Sequence, residues 1–476
     1  MKPVRKSPLA GTKQFILTAI LPMFFFGALQ RAAAGDASFS LHDGDRVCFY
    51  GDSITEQRFY GVDVQTYVRT RFPHLRVSFV NSGVGGDTVT GGWAGGIDAR
   101  LERDVFPFKP TVVTIMLGMN DAKYQPFDQV AFNIYTNGYE HLIVSLQAHL
   151  PGVRITLIQP SPYDDITEQP KFTGGYNAVL LKYAAFVRQL AAAHHLHCVD
   201  FNEPLVVLMQ KAFAQNPQLA HQVIPDRVHP SAAGELVMAQ VLLQAWNAPS
   251  VVTAVSIDAQ ARKVKHVLNT DLSGLKSTGE TLAWTQKDAC LPFPILALHD
   301  DWPQFPPNEN PKWGAMSFVW PEPKPNWEYT NMVTQMVLGN WGFYPTMDDQ
   351  PLHISGLLAG IYQLKINDQV VGEFTADQLG DGVNLAAYRT PMLEQSYRVL
   401  HRVWQQLEWR YFTWREIQLK LSDEEDPAVR CATENLIFAL RNQSDCMAEQ
   451  QYTDAIPLPT HYELKLVGNK EHRTHD

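Results

Sequence analysis

Charge and cysteine are both scarce in this sequence, and each scarcity excludes something. Charged residues make up only 18% of the chain against 45% hydrophobic, so an intrinsically disordered chain and a coiled coil are both ruled out. Five cysteines among 476 residues are too few for a disulfide framework, which leaves stability to a hydrophobic core. Cys48 and Cys198 sit inside apolar strand-like runs and read as small buried hydrophobes, and Cys431 with Cys446 is the couple expected to bond. No H-E-x-x-H metal helix, no G-x-G-x-x-G or Walker phosphate loop and no G-x-S-x-G elbow occurs. His194, His195 and His197 straddle a helix end and a strand start, so they are expected to point apart rather than toward one metal.

Basic residues are also in deficit, 39 against 49 acidic. All five basic residues of the first 34 lie in a stretch without an acid, and without it the balance is 34 against 49. Such an acidic surface repels phosphate backbones and anionic bilayers, so neither nucleic acid nor a membrane surface is an expected partner. Residues 1–34 read as an export signal: Lys2, Arg5, Lys6 and Lys13 precede an apolar run over 15–29, and Ala32-Ala33-Ala34 offers small residues for cleavage. The run holds Pro22 and falls short of the ~20 residues that span a bilayer, so no stable membrane insertion is expected after cleavage. The mature chain is expected in the periplasm or outside the cell.

What is present is an alternation. Strand-like runs at 46–50, 77–81, 111–117, 153–159 and 197–201 are separated by helical patterns at 59–72, 97–105, 127–149 and 176–195, with 231–246 closing the unit after a long loop. Continuous apolar strands alternating with helices predict a parallel sheet covered on both faces. The expected fold is α/β: a three-layer α/β/α domain of flavodoxin-like type with a five-stranded parallel sheet, over 35–248. From 249 to 476 a mixed α+β accessory region is expected. It opens on short strands, continues from Cys290 to Pro351 as a Pro- and Trp-rich irregular segment or lid, and then forms a hairpin around Asn367-Asp368 and a long helix over 390–418.

The chemistry-bearing residues sit where a parallel sheet gathers a site, at the carboxyl ends of its strands. The first strand runs into Gly51-Asp52-Ser53, the second into Asn81-Ser82-Gly83-Val84-Gly85-Gly86, and the third into Gly118-Met119-Asn120-Asp121. A fourth piece, Asp226-Arg227-Val228-His229, lies just before the last helix, which Ser231 is placed to cap. An Asp three residues ahead of a His can reach its Nδ1, fix the tautomer and leave Nε2 to take a proton from a serine.

In order and spacing these four blocks resemble the signature blocks of the SGNH hydrolases, also called the GDSL esterase/lipase family, over residues 44–248. The resemblance implies an ester hydrolase with Ser53 as nucleophile, His229 as general base and then general acid, and Asp226 orienting it. It assigns the oxyanion hole to the backbone N–H groups of Ser53 and Gly86 and the side-chain amide of Asn120. It implies no metal and no organic cofactor. It does not cover 249–476.

The substrate is an ester, and export of an acidic chain favours an acylated saccharide, with acetyl or another short acyl group removed. Trp93, Tyr124, Tyr163, Phe172 and Tyr176 are expected to line the pocket. Hydrolysis of lipid or lysophospholipid acyl esters is the alternative within the same chemistry, and a non-catalytic glycan-binding protein on the same fold is the alternative outside it.

Overall fold

The computed structural model describes residues 38–295, 327–421 and 426–468. The expected export signal and Trp302, Trp313 and Trp320 of the Pro/Trp-rich segment lie outside them. The five expected strands are present as β1 (Arg46–Gly51), β2 (Ser78–Gly83), β3 (Val112–Met116), β4 (Arg154–Gln159) and β5 (His197–Asp200). They form one all-parallel sheet in the order β2-β1-β3-β4-β5, the flavodoxin-like order, which reverses direction beside β1. All five residues of β3, and all but the first of β1, are buried, as a sheet covered on both faces requires.

Register matters most for function. Gly51 pairs with Gly83 of β2 and with Met116 of β3, so three strands end level and their following loops open on one edge. After β1 come a single turn, α1 (Ser53–Glu56), and the long α2 (Phe59–Arg71). Asp52 caps α1 by accepting from the Ile54 amide.

Several expectations are corrected. The long loop before the last helix contains a helix, Asn202–Gln215, which buries Leu205, Leu208, Met209 and Ala212 at helical spacing. Ser231 precedes helix Ala232–Ala245, but its side chain makes no capping bond. Cys198 is exposed, because β5 is the edge strand. Cys431 and Cys446 are free: both lie on helix Pro427–Ala455, where fifteen residues separate their Cα atoms by about 22 Å, far beyond disulfide reach. The end of the supposed irregular segment is helical, Trp327–Trp341 and Phe343–Met347.

Residues from 254 onward form two mixed or antiparallel sheets. One contains Thr270–Ser277, Thr281–Asp288, Thr460–Gly468, Ile361–Ile366 and Gln369–Thr375, with the expected hairpin turning through Asn367 and Asp368 at positive φ. The other pairs Ala254–Asp258 with Lys263–Leu268 and Pro351–Ser355, and adds Val383–Asn384 at its edge. A separate core between them includes Trp284, Tyr362, Leu364 and Tyr462. The expected long helix is Pro391–Phe412, continued by a π-helical turn, Thr413–Gln418. It packs Val399, Leu400, Val403, Trp404 and Leu407 on Phe59 and Val62 of α2. Among the described residues no helix is long and apolar enough to cross a membrane.

Candidate active site

Ser53 begins α1 immediately after β1, and close packing fixes that start. A Cβ on Gly83 would lie 2.3 Å from the Glu56 amide nitrogen, so only glycine lets β2 end against α1. Asn81 ties the same junction by donating to the Thr55 carbonyl (2.7 Å) and accepting from the Gly83 amide (3.0 Å).

The fourth block folds back onto Ser53. Asp226 Oδ1 accepts from the amides of Val228 (3.0 Å) and His229 (2.7 Å), and its Oδ2 lies 2.6 Å from His229 Nδ1. A carboxylate can only accept, so Nδ1 carries the proton and Nε2 faces Ser53 Oγ at 2.7 Å as an acceptor. Arg227, at φ +75°, anchors this loop by donating to the Asp164 carbonyl (2.9 Å) and pairing with Asp165 (2.8 Å). Burial alone would raise the Asp226 pKa, but the hydrogen bonds from His229 outweigh it and bring it down to about 2. Burial would lower that of His229, and the Asp226 hydrogen bond and charge more than reverse this, leaving it above the ordinary histidine value.

The second block makes a tight turn. The Asp87 amide donates to the Val84 carbonyl (3.1 Å), and Gly86 adopts φ +78° within the turn. A Cβ on Gly86 would meet nothing within 4 Å, so the glycine is required by its dihedral rather than by crowding. The turn is gripped on both sides of Gly85. Its amide donates to Glu56 Oε2 at 2.6 Å, and its carbonyl accepts from Trp93 Nε1 at 2.8 Å. That carbonyl and the Gly86 N–H belong to one planar peptide, so the indole sets the direction of the Gly86 N–H.

Asn120 approaches from the third strand end. Its amide nitrogen donates one hydrogen to the Asp87 carbonyl (3.0 Å), and its Oδ1 accepts from the Tyr124 hydroxyl (2.9 Å). A primary amide has two N–H bonds, so one remains for a ligand. Beneath it, Asp121 accepts from the Val89 amide, and burial pushes its pKa up to about 7. The buried Arg100 pairs with Asp87 at 2.8 Å and holds the far end of the turn.

Of the residues expected to line a pocket, Trp93 (56% exposed) and Tyr124 (41%) present open rings. Tyr163 and Tyr176 do not. Both are buried, Tyr176 bonding the Met119 carbonyl and stacking under Tyr124, and Tyr163 lying beneath the Arg227 guanidinium. They support the wall rather than form its surface. Phe172 packs partly buried against the core.

Sequence reasoning missed the contribution of helix Pro391–Phe412 and its π-helical continuation. The Tyr411 hydroxyl donates to Glu56 Oε1 at 2.6 Å, and Arg415 Nη1 lies 3.5 Å from the same oxygen. Trp414 sets its ring edge-on to Trp93, with centroids 6.5 Å apart, and donates to Asp104 (2.8 Å). Tyr411 and Arg415 lie four residues apart on one helical face, yet nothing in that spacing points to a site.

Comparison with known proteins gives the family of the chain. Residues 49–236 match the family model described as GDSL-like lipase/acylhydrolase. An acetylxylan esterase of Geobacillus stearothermophilus is 30% identical over 224 residues, which cover 42% of this chain and 93% of that protein. In fold the chain is similar to a gut microbial diltiazem-metabolizing enzyme, with a TM-score of 0.73 at 23% identity over 90% of this chain and 98% of the other. That likeness of fold therefore extends through most of the C-terminal region. The chain belongs to the GDSL-like lipase/acylhydrolase family, the SGNH hydrolases, and is a carboxylic ester hydrolase.

Proposed function

We propose that this chain is an exported serine esterase that removes acetyl or other short acyl groups from carbohydrate. The observation that carries the mechanism is the continuous path from Asp226 through His229 to Ser53 Oγ, with both contacts under 3 Å. Ser53 Oγ attacks the ester carbonyl carbon while its proton passes to His229 Nε2. The carbonyl oxygen becomes an anion held by the N–H groups of Ser53 and Gly86 and the remaining N–H of Asn120. As the tetrahedral intermediate collapses, His229 returns the proton to the departing alcohol, leaving the acyl group on Ser53. Water then repeats the sequence and releases the acid.

The carbohydrate assignment draws on the acetylxylan esterase relative and on the exposed Trp93 ring beside the oxyanion turn, a surface suited to the C–H face of a sugar. Export draws on the basic and apolar stretch of residues 2–34. The test is acetate release from acetylated xylo-oligosaccharides and other acetylated glycans, alongside aryl esters of increasing chain length, with Ser53→Ala as the blank. Ser53-dependent acetate from a glycan is expected. Turnover confined to long-chain aryl esters would refute the carbohydrate reading.

A further inference from the structure

We propose that Tyr411, acting through Glu56, is a positioning residue for the oxyanion turn, so that helix Pro391–Phe412 completes the hydrolase site. This rests on the reading of the Gly86 N–H as an oxyanion donor. Glu56 is buried, and its two carboxylate oxygens face different parts of the chain: Oε2 takes the Gly85 amide and Oε1 takes the Tyr411 hydroxyl, both at 2.6 Å. The carboxylate is thus a rigid strut from helix Pro391–Phe412 to the Val84–Gly85 peptide, the neighbour of the peptide that carries the Gly86 N–H. A buried carboxylate that loses one donor keeps its charge with fewer partners and turns toward those that remain. For Glu56 those are Arg415 and the Gly85 amide, so the turn would follow it.

Tyr411 is suited to the donor role. Burial first, and then the Glu56 charge, push its pKa up, so the hydroxyl keeps its proton. The Arg58 guanidinium lies over the ring, 4.3 Å from its centroid, and packs it in place. Glu56 also acts on the base directly, since its negative charge is one of the influences that raise the His229 pKa. The strut therefore touches both halves of the machinery, the oxyanion donors and the general base.

The test is Tyr411→Phe, which removes one oxygen and leaves the ring, assayed on a small aryl acetate. The expected result is a fall in kcat of roughly tenfold with KM within a factor of two, because the change reaches the transition state and not the ground state. Glu56→Gln should lose more, since its amide has one accepting end for the two donors Gly85 N–H and Tyr411 O–H, and its acid limb of activity should move to lower pH because a negative charge near His229 is gone. In the double variant the two losses should not multiply, as two members of one path share their effect. Wild-type kcat in a folded Tyr411→Phe protein would overturn the proposal, as would a loss that tracks the folded fraction followed by circular dichroism. If Glu56→Gln fails to fold, Tyr411→Phe alone decides. Ser53→Ala separates the two readings: turnover surviving in it would refute the serine mechanism, whereas its silence beside a wild-type Tyr411→Phe would refute only the strut.

Discussion

Beyond residue 250, two parts of the described chain meet the hydrolase domain differently. The two small sheets enclose their own core around Trp284, Tyr362 and Tyr462, with Trp284 stacked on Tyr462 at 4.9 Å. Helix Pro391–Phe412 instead shares a core with α2, and its last turn and continuation bring Tyr411, Trp414 and Arg415 to Glu56 and Trp93. The difference shows that a stretch without a signature motif need not act as one module. One part is self-contained packing, and the other is the outer support of a site whose reacting groups come from strand-end loops and from the loop before helix Ala232–Ala245.

On that division, substitutions that stop or slow the chemistry fall in the strand-end loops, at 226–229 and along 411–415, while those among the small sheets change stability alone. The largest expected effect is at His229. His229→Ala should fold normally and lose roughly 10⁴–10⁶ in kcat, because the serine then has no acceptor for its proton. In the unsubstituted protein, activity requires neutral His229 and should fall as pH drops, with a midpoint above 6.5 because the native pKa is raised. The pairing with Asp226 contributes to stability in the opposite sense: its contribution is complete below the unfolded histidine value and is lost as pH rises through the raised native one. A pH–rate profile and a pH series of melting temperatures should therefore move in opposite directions across this window. A midpoint below 6.5 would mean that Asp226 does not govern the base.

The next effect in size belongs to the small sheets. Trp284 is fully buried, and Trp284→Ala should cost about 3–5 kcal/mol in a urea or thermal unfolding experiment. Its kcat per folded molecule should stay at the wild-type level. A drop in kcat without unfolding would join the sheets to the active site and break the comparison.

Local pattern made the hydrolase half legible. Continuous apolar runs mark the parallel strands, and β1 to β5 fall within two residues of the expected spans. The register that levels Gly51, Gly83 and Met116 follows from such strands, so the gathering of Ser53, the Gly86 turn and Asn120 could be anticipated. Helix Asn202–Gln215 was misread although its buried positions follow the 3.6-residue period. Pro204 stands in its first turn, where proline costs no helical hydrogen bond, and Asn216 after it caps the next short helix. The strut from Tyr411 to Glu56 had no local signal at all: its partners are 355 residues apart, and only tertiary packing joins them.

The smallest expected effect sharpens the comparison most, because Trp93 stands between the two regions. It has two separable features, an indole N–H fixed to the Gly85 carbonyl and an exposed ring whose edge meets Trp414. Trp93→Phe keeps an aromatic face and deletes the N–H, so the Gly85–Gly86 peptide loses one hydrogen bond, worth about 1 kcal/mol or a several-fold fall in kcat. Trp93→Ala removes the ring as well and should add a rise in KM for an acetylated oligosaccharide that is absent for ethyl acetate, whose alcohol is too small to stack. Measuring both variants on both substrates separates orientation of the oxyanion donor from contact with a sugar. Equal KM values for the oligosaccharide in the Phe and Ala variants would confine Trp93 to holding the peptide, and the substrate wall would then lie on the Tyr124 side of Ser53.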